Sequence, residues 1–135
     1  MMRTMTLISA LALAVAAPAF AQTAPMNPTQ AIEAVAASKT GEVEGTFEFV
    51  VASTGAGGFN AYLNSAVDYR DPGNLAVALD TKGRNAFKDK LGGHAEDMLK
   101  GKRIRVKGIA RRVPTGSHFQ IRIAVETADQ IEILG

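Results

Sequence analysis

Hydrophobic and polar positions alternate with period two over several stretches of this chain, and two other stretches follow the longer period of a helix. From Val43 the odd positions read Val43, Gly45, Phe47, Phe49 and Val51, against Glu42, Glu44, Thr46 and Glu48. One face therefore meets a core and an acidic face meets water, the pattern of a half-buried strand. Phe59, Ala61 and Leu63 alternate with Asn60, Tyr62 and Asn64 as a second strand, and Leu75, Val77 and Leu79 with Ala76 and Ala78 as a third. Residues 102–113 predict a fourth, with Ile104 and Val106 inward and Arg103, Arg105 and Lys107 outward. After Gly108 the apolar phase moves by one, to Ile109, as at a β-bulge. Phe119, Ile121, Ile123 and Val125 mark a buried face of a fifth strand, and residues 130–134 alternate once more. The glycine-rich 53–58 reads as a loop, and Pro114-Thr-Gly-Ser117 as a turn.

Helix signals flank and divide these strands. Asn27-Pro28 supplies a favoured N-cap and a favoured first helical residue, Ile32, Val35 and Ala36 share a face, and Gly41 lies past the end. That predicts a short helix over 28–38. Residues 82–100 are helical in composition, with Phe87, Leu91, Met98 and Leu99 as apolar contacts and Gly92-Gly93 dividing them. The order is three strands, a helix and two strands, preceded by a short N-terminal helix. The expectation is an all-β domain with minor α: a five-stranded OB-type barrel with a helix between strands 3 and 4. A three-plus-two α+β sandwich is the alternative.

The start of the chain follows neither period. A charged opening with Arg3, an apolar run from Leu7 to Val15, and small residues at Ala19 and Ala21 are the parts of a cleavable export signal. The run is shorter than the roughly 20 apolar residues that span a bilayer. The expected division is thus a signal peptide at 1–21, an N-terminal segment with its short helix at 22–40, and the OB domain at 41–135. The expected location is periplasmic or secreted after cleavage near Ala21, and no second long apolar stretch makes this an integral membrane protein.

Composition then removes several chemistries. The chain has no cysteine, which excludes thiol catalysis, iron–sulfur clusters, thiolate zinc and a disulfide scaffold. Charge is unevenly spread. Residues 82–112 hold 11 basic and 3 acidic side chains, whereas residues 22–81 hold 2 and 7. Such asymmetry marks a binding face or two faces that meet each other.

The stretch Leu63-Asn-Ser-Ala-Val-Asp-Tyr-Arg-Asp-Pro-Gly-Asn-Leu75, the later Leu99-Lys-Gly-Lys-Arg-Ile-Arg-Val-Lys-Gly108 and the closing Asp129-Gln-Ile-Glu-Ile133 resemble a group of exported bacterial OB-fold domains, mostly uncharacterised. That group is loosely similar to nucleic-acid-binding OB domains. The resemblance covers residues 40–135 and implies the fold without implying a settled activity. The second and third strands show fewer outward aromatics here than nucleic-acid-binding relatives would.

Three constellations are candidates for binding. The outward Asn60, Tyr62 and Asn64, with Tyr69 and Arg70 in the following connection, offer stacking rings, amides and a cation suited to a nucleobase or sugar. Arg111, Arg112 and His118 flank the turn at 114–117 and are the candidate anion rim. The Arg103/Arg105/Lys107 stripe suits a phosphate backbone, but an OB barrel sets the first and fourth strands side by side, where Glu42, Glu44 and Glu48 would neutralise it. Catalysis finds no constellation. Ser117 and His118 are adjacent and would face opposite sides of a strand, and His94 and His118 have no carboxylate at ligand spacing. Asp68 and Asp71 beside Arg70 resemble only faintly the acidic loop of an OB-barrel nuclease.

The reading is a non-enzymatic exported module, without cofactor or metal, that binds a polar or polyanionic ligand, an oligonucleotide being the specific version. The alternative is a protein-interaction or structural module of the cell envelope, with another envelope protein as partner.

Overall fold

The computed structural model describes residues 24–135, so the expected export signal lies outside the described residues. Within them the chain is mostly β with minor α. Its strands are β1 (Glu42–Val50), β2 (Ser53–Gly57), β3 (Asn60–Asn64), β4 (Leu75–Leu79), β5 (Arg103–Thr115), β6 (His118–Val125) and β7 (Ile131–Ile133). They form one sheet in the order β1-β5-β6-β4-β3-β2, and β7 joins β5 off that path. Helix α1 (Pro28–Ala37) precedes β1, and α2 (Thr81–Leu91) and α3 (Ala95–Met98) lie between β4 and β5. Every strand pair is antiparallel except β4 with β6.

Two segments are strands that the alternation under-reads. Residues 53–57 form β2, not a loop, and pair with β3 from Ser53↔Asn64 to Gly57↔Asn60. Their Gly and Ala content hides the alternation, because strand formation here rests on the partner rather than on side chains. A two-residue turn with Gly58 at φ 62° joins β2 to β3. The closing segment is β7. The bulge expected at Gly108 is absent: β1 and β5 pair without interruption from Glu42↔Arg111 to Val50↔Arg103. Gly108 takes an inward place so tight that a Cβ would stand 2.9 Å from Ile123 Cγ2. The buried Ala110 continues the phase, and Ile109 is exposed.

Phe47, Phe49, Leu63, Val77, Ile104, Ile121 and Ile123 are buried together, with Phe87 and Leu99 from the helical segment. Phe59 and Phe119 are not, being 82% and 62% exposed. Each has the right parity for the core but sits where a hairpin runs past it. Met98 is likewise exposed.

Local chemistry fixes the helices. Asn27 and Gln30 of α1 form a reciprocal capping box, and α1 buries Ala31 and Val35 while Ala36 faces out. Met26 extends the edge of β1 through bonds with Thr46 and Glu48. In α2 the Asp80 side chain caps the Gly83 N–H at 2.8 Å. A Cβ on Gly83 would lie 2.2 Å from the Val125 carbonyl oxygen, so glycine alone lets α2 lie this close to β6. Gly92, at φ 78°, ends α2, and α3 follows as a separate turn.

Candidate functional site

β3 turns Ala61 and Leu63 into the core, which leaves Asn60, Tyr62 and Asn64 on its other face. Above that face a cleft of about 630 Å³ opens, floored by β2 and β3 and walled by the connection at 65–74 and the β5–β6 hairpin. This is within the roughly 300–1,000 Å³ common for ligand sites. A smaller hollow of about 310 Å³ near Lys90, Lys107, Asp129 and Glu132 mixes both signs of charge.

The 65–74 wall is held by a polar network. Asn74 Oδ1 accepts from the Ala66 amide at 3.0 Å, and Asn74 Nδ2 donates to Asn64 Oδ1 at 3.2 Å and to the Tyr69 carbonyl at 3.4 Å. Ser53 Oγ donates to the Ala66 carbonyl at 2.7 Å, and Ser65 Oγ accepts from the Leu75 amide at 2.8 Å. Asn64 and Asn74 are both buried. Asn64, a predicted ligand contact, therefore spends its amide on holding the wall.

Tyr62 lies between Gly55 of β2 and Ala78 of β4 in the sheet register. The Arg122 guanidinium stands 5.0 Å from its ring centre. The parallel β4–β6 pairing sets Arg122 beside Ala76, whose small side chain leaves the space that the guanidinium crosses. Arg122 Nε donates to Gln120 Oε1 at 3.0 Å, and Gln120 Nε2 donates to the Tyr69 carbonyl at 3.1 Å. This relay links β3, β6 and the wall. Asn60 acts one step removed, donating through Nδ2 to the Tyr62 hydroxyl at 3.3 Å.

Tyr69 and Arg70 line the wall. The Arg70 guanidinium lies 5.8 Å from the Tyr69 ring centre while Asp68 holds it through Nε at 3.1 Å and Nη2 at 3.2 Å. Hydrogen bonds from the Arg70 side chain and amide hold the Asp68 carboxyl below the ordinary aspartate value, and Asp68 raises Arg70 in turn. At the opposite rim His118 and Phe119 line the cleft, and Arg112 stands 5.5 Å from the Phe119 ring centre. Arg111 stands opposite Arg122 in the β5–β6 register, but it does not line the cleft and pairs with Glu42 at 3.4 Å.

Of the eight predicted residues, the structure brings Tyr62, Asn64, Tyr69, Arg70 and His118 to one cleft. Asn60 and Arg112 support it through a ring partner, and Arg111, held by Glu42, is outside its lining. Arg122, Gln120, Phe119 and the β2 floor were not anticipated. A signal for Arg122 existed in the outward parity of the fifth strand, opposite alanines of the third. No carboxylate lines the cleft, and among the described residues Arg112 and Arg122 have no acidic partner.

The basic stripe is arranged otherwise. Glu48 holds Arg105 at 3.0 Å and Arg103 at 3.5 Å, and Glu132 of β7 reaches Arg105 at 3.7 Å. Glu44 stands opposite Ile109, and Lys107 opposite Thr46, so neither has the partner the alternation implied.

Among the described residues no three His, Asp or Glu side chains gather as a metal site, and no helix is long and apolar enough to cross a membrane. No family model matches the chain, and no curated protein matches it. Among solved structures, the chain is similar to a putative aspartyl-tRNA synthetase from Leishmania major Friedlin, with a TM-score of 0.48 and 12% identity. That match covers 84% of this chain and spans 21% of the other.

Proposed function

We propose that this protein is an exported, non-enzymatic binding module, an OB-type barrel that takes a polar or polyanionic ligand in the cleft over β2 and β3. Its specific ligand is a single-stranded oligonucleotide. The barrel reading is supported by the strand order and by the joint between β1 and β2. Val51 donates its amide to the Lys102 carbonyl beside β5, and Ala52 to the Asn64 carbonyl of β3. Taken as two halves of one bent strand, β1 and β2 would join the two ends of the path into a five-membered ring, with β7 as an added strip. Export rests on the signal pattern ending at Ala21. Mass spectrometry of the protein from its host should find Gln22 at the N-terminus, and intact Met1 in the envelope fraction would overturn that part.

One observation carries the binding reading: a cleft lined by Tyr62, Tyr69, Phe119, Arg70 and Arg122 without a carboxylate in the lining. Rings stack on bases of any sequence, and cations follow the phosphates. Fluorescence titration at low salt with a short single-stranded oligonucleotide tests it. Three neutralised phosphates give a log–log salt slope of about −2. Tyr62→Ala should weaken binding by about 1–3 kcal/mol, and Arg103→Ala, already held by Glu48, should leave it unchanged. No binding at millimolar concentration would sink the proposal.

A further inference from the structure

Resting on that binding reading, we infer that the cleft is a track for three consecutive nucleotides of a single strand. Its repeating unit is an arginine laid on an aromatic ring: Arg122 on Tyr62, Arg70 on Tyr69 and Arg112 on Phe119, at 5.0, 5.8 and 5.5 Å from ring centre to guanidinium carbon. All three rings line the same cleft, although they come from β3, the 65–74 connection and β6. Among the described residues one further cation–ring pair, Lys90 with Phe87, involves a buried ring away from it.

A guanidinium over a ring is positioned without its charge being neutralised, since a ring face offers only weak electrostatic compensation. It keeps one face for stacking and N–H edges for an anion. A ligand matching this unit carries a flat π-system and one negative charge per repeat, which is the chemistry of a nucleotide. A sulfated sugar has the charge without the flat ring, and an acidic peptide has neither in fixed register. Paired bases keep their faces stacked within the duplex, so the strand must be single.

The three units are unequal. Arg112 and Arg122 have no acidic partner among the described residues, and Gln120 takes only the Nε proton of Arg122. Arg70 is already held by Asp68 through two hydrogen bonds. Asp68 therefore occupies the place of a phosphate on the third unit, and an arriving strand must displace it.

The test is titration of the full mature chain with oligothymidylates of one to six nucleotides over a range of salt. Affinity should climb steeply to the trimer and then rise only statistically. Arg122→Gln and Arg112→Gln should each flatten the salt slope by about 0.7, the share of one phosphate on a single strand, with the fold, read by far-ultraviolet dichroism, retained. Asp68→Asn should act oppositely, steepening the slope toward the full three-phosphate value of about −2 and raising affinity severalfold. A merely structural Asp68 would not do so. A sulfated oligosaccharide or acidic peptide of equal charge should bind at least about tenfold more weakly, for want of base stacking. Affinity without a break at three, arginine variants that leave the slope intact, equal binding of the other polyanions, or an Asp68→Asn variant that binds no better would each overturn the track. If no oligonucleotide binds at all, the binding reading itself falls; if it binds without these dependences, only the track does.

Discussion

The β1–β5 face and the cleft each display three arginines, and they use them in opposite ways. On the face, Arg103, Arg105 and Arg111 meet Glu48, Glu132 and Glu42. In the cleft Arg70 and Arg122, and behind its Phe119 lining Arg112, lie over tyrosine and phenylalanine rings. A carboxylate neutralises a cation and leaves little field for a ligand, whereas a ring positions it and leaves the charge available. The number of basic residues on a strand therefore says little about binding, and the residue across the sheet says a great deal. Arg70, with both a ring and an acid, is the intermediate case.

Both regions stand on one core, and the largest effect tests that. Phe49→Ala, beneath the β1 end of the charged face, should lose about 3–5 kcal/mol of stability. Chemical denaturation followed at Tyr62 and by far-ultraviolet dichroism should show one shared transition. Two separate transitions would mean that face and cleft do not share a core. Next in size is the cleft wall. Asn74→Ala removes partners from Asn64 and from the Ala66 amide, and should destabilise by about 1–3 kcal/mol. Amide exchange should quicken across 65–74 and remain unchanged in β1 and β5; acceleration spread evenly over both would dissolve the distinction between the regions.

A smaller change inverts the comparison. Glu48→Gln strips Arg103 and Arg105 of their shared acid, at a cost of about 1 kcal/mol in stability, since the pairs are only partly buried. The variant should acquire a second salt-sensitive polyanion site on the β1–β5 face, visible as a stoichiometry above one in titration. An unchanged stoichiometry would show that neutralisation by acids is not what silences that face. The smallest effect concerns Asp68. Its lowered pKa means that whatever it contributes to stability is present above the ordinary aspartate value and is lost as pH falls through the lowered one. Carboxyl carbon shifts should show Asp68 titrating below the ordinary aspartate value. An ordinary aspartate curve would mean that Arg70 is not held, and its charge would then count with those of Arg112 and Arg122.

How much of this could be read from the chain depends on which interactions decide each element. Phe47, Phe49, Leu63, Ile104 and Ile123 were legible because alternation over a strand with one wet face is a direct imprint of burial. The division at Gly92 and the start at Asn27-Pro28 were legible because caps act over a few residues. β2 was not, since Ser-Thr-Gly-Ala-Gly carries no pattern and becomes a strand through its partner β3. Phe119 was misplaced because parity predicts a direction while burial also needs a neighbour, and the hairpin tip has run beyond the core. At the cleft, Tyr62 and Tyr69 were visible as outward rings, but Arg122 depends on a parallel pairing between strands over 40 residues apart, which no local pattern encodes. Asn64 looked like a free amide until Asn74, ten residues later, was found to hold it.

Gly83 serves two neighbours at once. Its amide satisfies Asp80 at the start of α2, and its missing side chain makes room for the Val125 carbonyl. A cap alone would tolerate many residues at that position, and a close approach alone would not specify an aspartate three places earlier. Together they write a short signature, Asp-x-x-Gly just after the fourth strand, into a part of the chain outside the cleft lining. Distant kin of this protein, diverged too far for overall identity to reveal them, should be recognisable by those two letters standing at the mouth of a helix that follows an apolar strand.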